Sequence, residues 1–122
     1  MAKTVLIADD ASSMRALISM ALRNKQYEVI EAEDGQDALE KLQLQQKVML
    51  IVTDLNMPRM NGIELITAVK AMPQYRFVPI VMLTTESQAD KKEVGRQAGA
   101  KAWIVKPFKP DVLLNVVKKI IG

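Results

Sequence analysis

Three aspartates close two apolar runs. Thr4-Val5-Leu6-Ile7-Ala8 is followed by Asp9 and Asp10, and Val48-Met49-Leu50-Ile51-Val52-Thr53 is followed by Asp54. Short apolar runs bounded by polar residues read as buried strands, and in open parallel sheets ligands gather just beyond the carboxyl ends of the strands. If the two runs share a sheet, three carboxylates meet at one edge. Two unit charges ~4 Å apart at an effective dielectric of ~20 repel by ~4 kcal/mol, so such a cluster needs a cation or protons to persist.

Two further strand-like runs end in polar groups: Thr84 follows Ile80-Val81-Met82-Leu83, and Lys106 follows Trp103-Ile104-Val105. Three carboxylates, one divalent cation and one ammonium sum to zero charge. Were Asp54 to become an acyl phosphate, its charge would move from −1 to about −2 at neutral pH. The Thr84 hydroxyl, Lys106 and nearby backbone N–H groups could meet that new demand. A local demand of this kind can bias a switch.

Composition narrows the chemistry. The chain has 122 residues, about half of them hydrophobic, with no cysteine and no histidine. A single domain over 1–122 is expected, able to bury a core without disulfides or structural metal. Thiolate chemistry, imidazole acid–base catalysis and the usual zinc ligands are excluded. An all-oxygen donor set favours Mg²⁺, with Mn²⁺ as the alternative, over zinc or copper. No apolar stretch approaches the ~20 residues of a membrane span, and Met1-Ala2-Lys3 leads into a strand rather than a signal-peptide core. A cytoplasmic protein that engages no membrane is expected, and the lack of cysteine is compatible with a reducing cytosol. The net charge of +3 comes from basic residues scattered among acids, with one Trp, two Tyr and two Phe. That pattern offers no aromatic and basic platform, so nucleic acid is not an expected partner.

The elements that must position these groups alternate along the chain. Apolar runs predict strands over Val5–Ala8, Glu28–Ala32, Met49–Thr53, Ile80–Leu83 and Lys101–Val105, each followed by a helix-period segment. Five βα units imply an α/β fold, a five-stranded parallel sheet with helices on both faces. Ser12 or Ser13 can cap a first helix whose Met14, Leu17, Ile18 and Ala21 form one stripe. Asn61 and Glu64 form a capping-box pattern ahead of Leu65, Ile66 and Val69, and Pro110 suits the first position of a last helix bearing Leu113, Val116, Val117 and Ile120. From Glu86 to Ala98 the only large apolar side chain is Val94. That fourth helix can bury little and is expected to be among the least stable locally.

Taken together, Ala8-Asp9-Asp10, Thr53-Asp54-Leu55-Asn56-Met57-Pro58, Leu83-Thr84-Thr85-Glu86 and Val105-Lys106-Pro107-Phe108 resemble the receiver domain of two-component response regulators, over essentially the whole chain. The stretch from Gly99 to Phe108, and the short length with no output domain, resemble the chemotaxis members. The resemblance implies a flavodoxin-like sheet of order 2-1-3-4-5. It implies that Asp54 accepts a phosphoryl group from a histidine kinase, that Asp10, Asp54 and the Asn56 carbonyl ligate Mg²⁺, and that Asp9 holds the ion mainly through water. Lys106 would pair with the phosphoryl oxygens, and Thr84 would swing inward toward them, vacating space for Trp103. The Lys106-Pro107 peptide would be cis, and Asn56 and Glu86 would tune loss of the phosphoryl group.

The same resemblance implies a monomeric switch whose output is altered protein binding, through the fourth helix, the Trp103 strand and the last helix with Lys109, Lys118 and Lys119. In chemotaxis the phosphodonor would be a chemotaxis-type histidine kinase and the target a flagellar motor switch protein, with a phosphatase as a further partner. Such a protein catalyses its own phosphorylation and dephosphorylation and has no external substrate. The chain departs from the family's usual pattern at Ala8, at Asn61 in place of Asp, and at Trp103, where Tyr or Phe is usual.

Simpler readings exist for each residue alone. A strand-end Asp is commonly a cap or turn former, Thr84 could cap the fourth helix, Lys106 could be a solvated lysine and Trp103 a core aromatic. Four strand ends together outweigh them. An enzyme reading, a Mg²⁺-dependent phosphohydrolase with an aspartyl-phosphate intermediate, calls for an acid–base Asp two residues after the nucleophile. Asn56 stands there, and an amide cannot do that work. A receiver from a non-chemotaxis pathway, or one that binds without phosphorylation, is the remaining alternative.

Overall fold

The computed structural model describes residues 2–44, 47–85 and 90–122. Its elements run β1 (Thr4–Ala8), α1 (Ser12–Asn24), β2 (Glu28–Ala32), α2 (Gly35–Leu44), β3 (Leu50–Asp54), α3 (Gly62–Lys70), β4 (Ile80–Thr85), α4 (Lys92–Ala98), β5 (Ala102–Lys106) and α5 (Pro110–Ile121). The strands form one sheet in the order β2-β1-β3-β4-β5, every pair parallel. This is the doubly wound α/β architecture that five βα repeats dictate.

Strand alternation divides the core into two layers. Leu6, Ile51, Ile80 and Met82 face α2 and α3 with Ala38, Leu42, Leu65, Ile66 and Val69. Val5, Ile7, Val52, Val81 and Leu83 face α1 and α5 with Ile18, Leu22, Leu113 and Val117. β1, β3 and β4 are buried on both faces, which is why they read as unbroken apolar runs, whereas β2 and β5 lie at the sheet edges and are partly exposed.

Three strands, β3, β4 and β5, extend further than the apolar runs foretold. Asp54 pairs with Leu83, and Thr84 and Thr85 pair with Val105 and Lys106. The polar site residues of β3, β4 and β5 thus hold ladder positions rather than following them, and backbone pairing fixes their direction.

Helix starts follow local chemistry. Asn61 Oδ1 accepts from Glu64 N at 2.8 Å and Glu64 Oε1 accepts from Asn61 N at 2.9 Å, the reciprocal capping box the pattern predicted. Pro110 stands in the first turn of α5. The start of α1 differs from expectation: Ala11 is the N-cap and makes no side-chain cap bond, and neither Ser12 nor Ser13 serves as cap. The Asp9 carboxylate takes the Ala11 N–H instead, at 2.9 Å, so the turn into α1 is organised by a site residue.

Among the described residues of the predicted segment, α4 covers Lys92–Ala98. A 3₁₀ turn at Asp90–Lys91 leads into Lys92–Ala98, and residues 86–89 lie outside the described set. Val94 is half exposed and the buried residue of the helix is Gly95. α5 buries Leu113 and Val117, each worth about 1.5–3 kcal/mol of apolar burial. α4 has no comparable anchor among its described residues.

Candidate phosphoryl-acceptor site

The carboxyl ends of β1 and β3 bring Asp9, Asp10 and Asp54 together. One carboxylate oxygen from each lies within 4.8 Å of the others, close enough for a single cation. Their environments differ. Asp9 is wholly buried, Asp54 nearly so, and Asp10 is exposed. Asp9 is also the most committed: Oδ1 accepts from Ala11 N at 2.9 Å, Oδ2 faces Lys106 Nζ at 3.3 Å, and its carbonyl accepts from the Arg15 guanidinium at 2.6 Å.

Lys106 reaches across from β5 and is largely shielded from solvent. Its Nζ lies 3.1 Å from Asp54 Oδ1 and 3.3 Å from Asp9 Oδ2, bridging two of the three carboxylates. Asp54 Oδ1 also accepts the Leu55 N–H at 2.9 Å. Burial pushes the Asp54 carboxyl above the usual carboxylate range, Lys106 opposes that shift, and Asp9 adds to it. One lysine does not neutralise three carboxylates, so the cluster retains an excess of negative charge. An exposed Asp10, an all-oxygen donor set and this excess fit a hard divalent ion such as Mg²⁺.

Thr84 is fully buried, and its Oγ1 has no hydrogen-bond partner among the described residues. A buried hydroxyl without a partner costs about 1–3 kcal/mol, so it invites an explanation. Met82 pairs with Trp103 and Thr84 with Val105. Since residues two apart share a sheet face, Thr84 and Trp103 lie on the same face of neighbouring strands. Trp103 is half-buried against the α3 side of the core and, with Lys92, Arg96 and Ala100 to Ala102, lines a hollow of about 240 Å³. Lys106-Pro107 is a cis peptide. Asn56 is exposed on the loop two residues past Asp54, and Glu86 lies outside the described residues.

Two residues that sequence reasoning did not single out stand beside this loop. Asp34, buried before α2, holds Arg59 of the β3–α3 loop in a bidentate ion pair, Nε to Oδ2 at 2.8 Å and an Nη to Oδ1 at 3.1 Å. The cap position of Asp34 was readable from Asp34-Gly35-Gln36-Asp37, whereas nothing local marks Arg59 as its partner.

The parallel order 2-1-3-4-5 and an acidic cluster at the carboxyl ends of β1 and β3 define a receiver-type α/β protein. Residues 5–118 match the model of the response regulator receiver domain family, and the chain belongs to that family. It is 40% identical over 119 residues to the chemotaxis protein CheY1 of Helicobacter pylori strain J99, covering 97% of this chain and 96% of that protein. Among solved structures it resembles the chemotaxis response regulator CheY4 of Vibrio cholerae, with a TM-score of 0.93, 42% identity and coverage of 99% and 100% of the two chains. The receiver domain of a sensor histidine kinase from Pseudomonas aeruginosa PAO1, solved with a magnesium ion coordinated in its active-site cleft, superposes with a TM-score of 0.90 at 27% identity, covering 100% of this chain and 99% of that one.

Among the described residues no helix is long and apolar enough to cross a membrane. A receiver of this type is a signalling protein rather than an enzyme with a turned-over substrate.

Proposed function

We propose that the protein is a single-domain cytoplasmic phosphorylation switch in which Asp54 accepts a phosphoryl group from a histidine kinase and the modified protein changes its binding partner. The observation that carries this reading is the Lys106 ammonium bridging Asp54 and Asp9. It holds a cation where a phosphoryl group on Asp54 would place new negative charge.

With Oδ1 engaged by Lys106 and Leu55 N–H, Oδ2 is the Asp54 oxygen left to attack phosphorus. The new Oδ–P bond forms as the bond from phosphorus to the donor breaks, and the donor leaves with that electron pair. Phosphoryl transfer needs in-line positioning and charge neutralisation more than covalent help. Asp10 and Asp54, with the Asn56 carbonyl, would ligate Mg²⁺, and Asp9, its oxygens already committed, would act through water. Bound there, the ion would neutralise charge on the phosphoryl oxygens. Lys106 then pairs with the phosphoryl group, and the Thr84 hydroxyl, without a partner among the described residues, gains an acceptor. Thr84 moving toward Asp54 frees space on the face it shares with Trp103, which passes the change to α4 and β5.

The likeness to chemotaxis proteins favours a chemotaxis histidine kinase as donor and a flagellar motor switch protein as target. The face formed by α4, β5 and α5, with Lys109, Lys118 and Lys119, is the proposed output surface. Intact-mass analysis after incubation with acetyl phosphate tests the reading. The wild type should gain one phosphoryl group with Mg²⁺ and none in EDTA, and Asp54→Asn should gain none. Equal labelling of the variant would overturn the assignment of Asp54.

A further inference from the structure

The loop from Leu55 to Asn61 is closed at its neck, where Gly62 N–H donates to the Leu55 carbonyl at 2.8 Å. That bond fixes how the loop begins and ends but does not reach its tip. The tip is held elsewhere. Arg59 sits in the left-handed region, φ 65°, which costs a non-glycine residue about 1–2 kcal/mol. Such strain persists only where the surroundings impose it.

Locally, Met60 N–H donates to the Pro58 carbonyl across Arg59 at 2.7 Å, and the β2–α2 turn holds the loop tip from outside. The Arg59 guanidinium grips the Asp34 carboxylate through two parallel bonds, and Asp34 is only 4% exposed while Arg59 is 53% exposed. One residue on, Gly35 N–H donates to the Met60 carbonyl at 3.2 Å. A β-carbon on Gly35 would lie 2.6 Å from that oxygen, so only glycine allows the two loops this contact. Asp34 is itself anchored: its Oδ1 accepts from Asp37 N at 2.8 Å and its carbonyl accepts from Ala38 N at 3.0 Å. The loop tip is therefore moored to a helix cap on the neighbouring βα unit.

We infer that the Asp34–Arg59 ion pair is a positioning device for the metal site, holding the β3–α3 loop so that the Asn56 carbonyl stays in place for the divalent ion. Neither residue touches the ion; both act through the loop. The inference rests on the reading of Asp54 and its neighbours as a Mg²⁺-assisted acceptor site. A residue that orients a ligand commonly sets metal affinity by a factor of about 10 to 100. The simpler role, Asp34 as a cap for α2 and nothing more, predicts no effect on the metal when Arg59 changes.

Arg59→Asn and Arg59→Gly separate the two. Asn and Gly both accept the left-handed conformation, so each variant keeps the backbone and loses the ion pair. Asp34→Asn keeps a cap acceptor and loses the charge. Calorimetric titration with Mg²⁺ alone should show about tenfold weaker binding in each, and Asp34→Asn with Arg59→Asn should be no weaker than either single change. At saturating Mg²⁺ the rate of acyl-phosphate formation from acetyl phosphate should return to that of the wild type, as a loss confined to ion affinity requires. Binding within twofold of the wild type in the folded Arg59 variants would overturn the inference and leave the acceptor reading intact. A wild type that neither binds Mg²⁺ nor forms an adduct would overturn both.

Discussion

A β-carbon placed on Gly95 would stand 2.3 Å from Cζ3 and 2.9 Å from Cη2 of Trp103, so the indole of β5 occupies the space an alanine in α4 would fill. Helix and strand are matched by an absent side chain on one and a large one on the other. The bulk of Trp103 and the lack of bulk at Gly95 belong together.

Gly95→Ala tests that match because two effects oppose. Alanine in a helix interior gains about 0.5–1 kcal/mol over glycine, while overpacking costs about 1–3 kcal/mol. The variant should be less stable to urea by about 1 kcal/mol, with Trp103 emission shifted as the ring is displaced. A more stable variant with unchanged emission would contradict the contact.

Asp54 predicts a pH dependence. Its carboxyl is held above the ordinary range by burial, so the native state keeps this proton to higher pH than the unfolded chain does. Stability of the metal-free protein should therefore fall as pH rises from the ordinary carboxylate value through the raised one. Asp54→Asn removes that slope, and at neutral pH in EDTA both Asp54→Asn and Asp10→Asn should melt a few degrees above wild type, ~1 kcal/mol being worth about 4 °C in a domain of this size. Mg²⁺ should narrow the gap by binding the native wild type. Calorimetric melts across pH decide it; a wild type more stable than both variants in EDTA would contradict the crowding argument.

Thr84→Val separates burial from signalling. Valine has nearly the shape of threonine, and the lost hydroxyl has no hydrogen-bond partner among the described residues. Stability should hold or rise, while an acyl phosphate on Asp54 should no longer alter Trp103 emission. A Thr84→Val protein whose emission responds as wild type does would remove Thr84 from the switch.

α4 should exchange its amides faster than α5 in native-state hydrogen exchange. Its one buried residue is a glycine, against Leu113 and Val117 in α5. Equal or slower exchange in α4 would show that its contact with Trp103 anchors it more firmly than apolar burial implies.

The sheet and the acidic cluster were legible because both write themselves locally. Apolar runs such as Leu50 to Thr53 mark strands buried on two faces, and Asp9, Asp10, Asp54, Thr84 and Lys106 follow those runs at fixed offsets. What escaped depends on contacts between distant segments. Arg59 carries no sign of Asp34, 25 positions earlier. Gly95 reads as a weak helix position until Trp103 is set beside it. The start of α1 misled for a related reason: Ser12 and Ser13 have cap chemistry, but the bend after β1 brings the Asp9 carboxylate to the Ala11 N–H first.

Charge gained at Asp54 should be met by Lys106 and Thr84 and transmitted to Trp103. Titrating the protein with beryllofluoride, a mimic of an acyl phosphate, while following Trp103 fluorescence measures that transmission. A saturable change that requires Mg²⁺ and disappears in Asp54→Asn is the predicted result. The same change in Asp54→Asn, or in the absence of divalent ion, would contradict it.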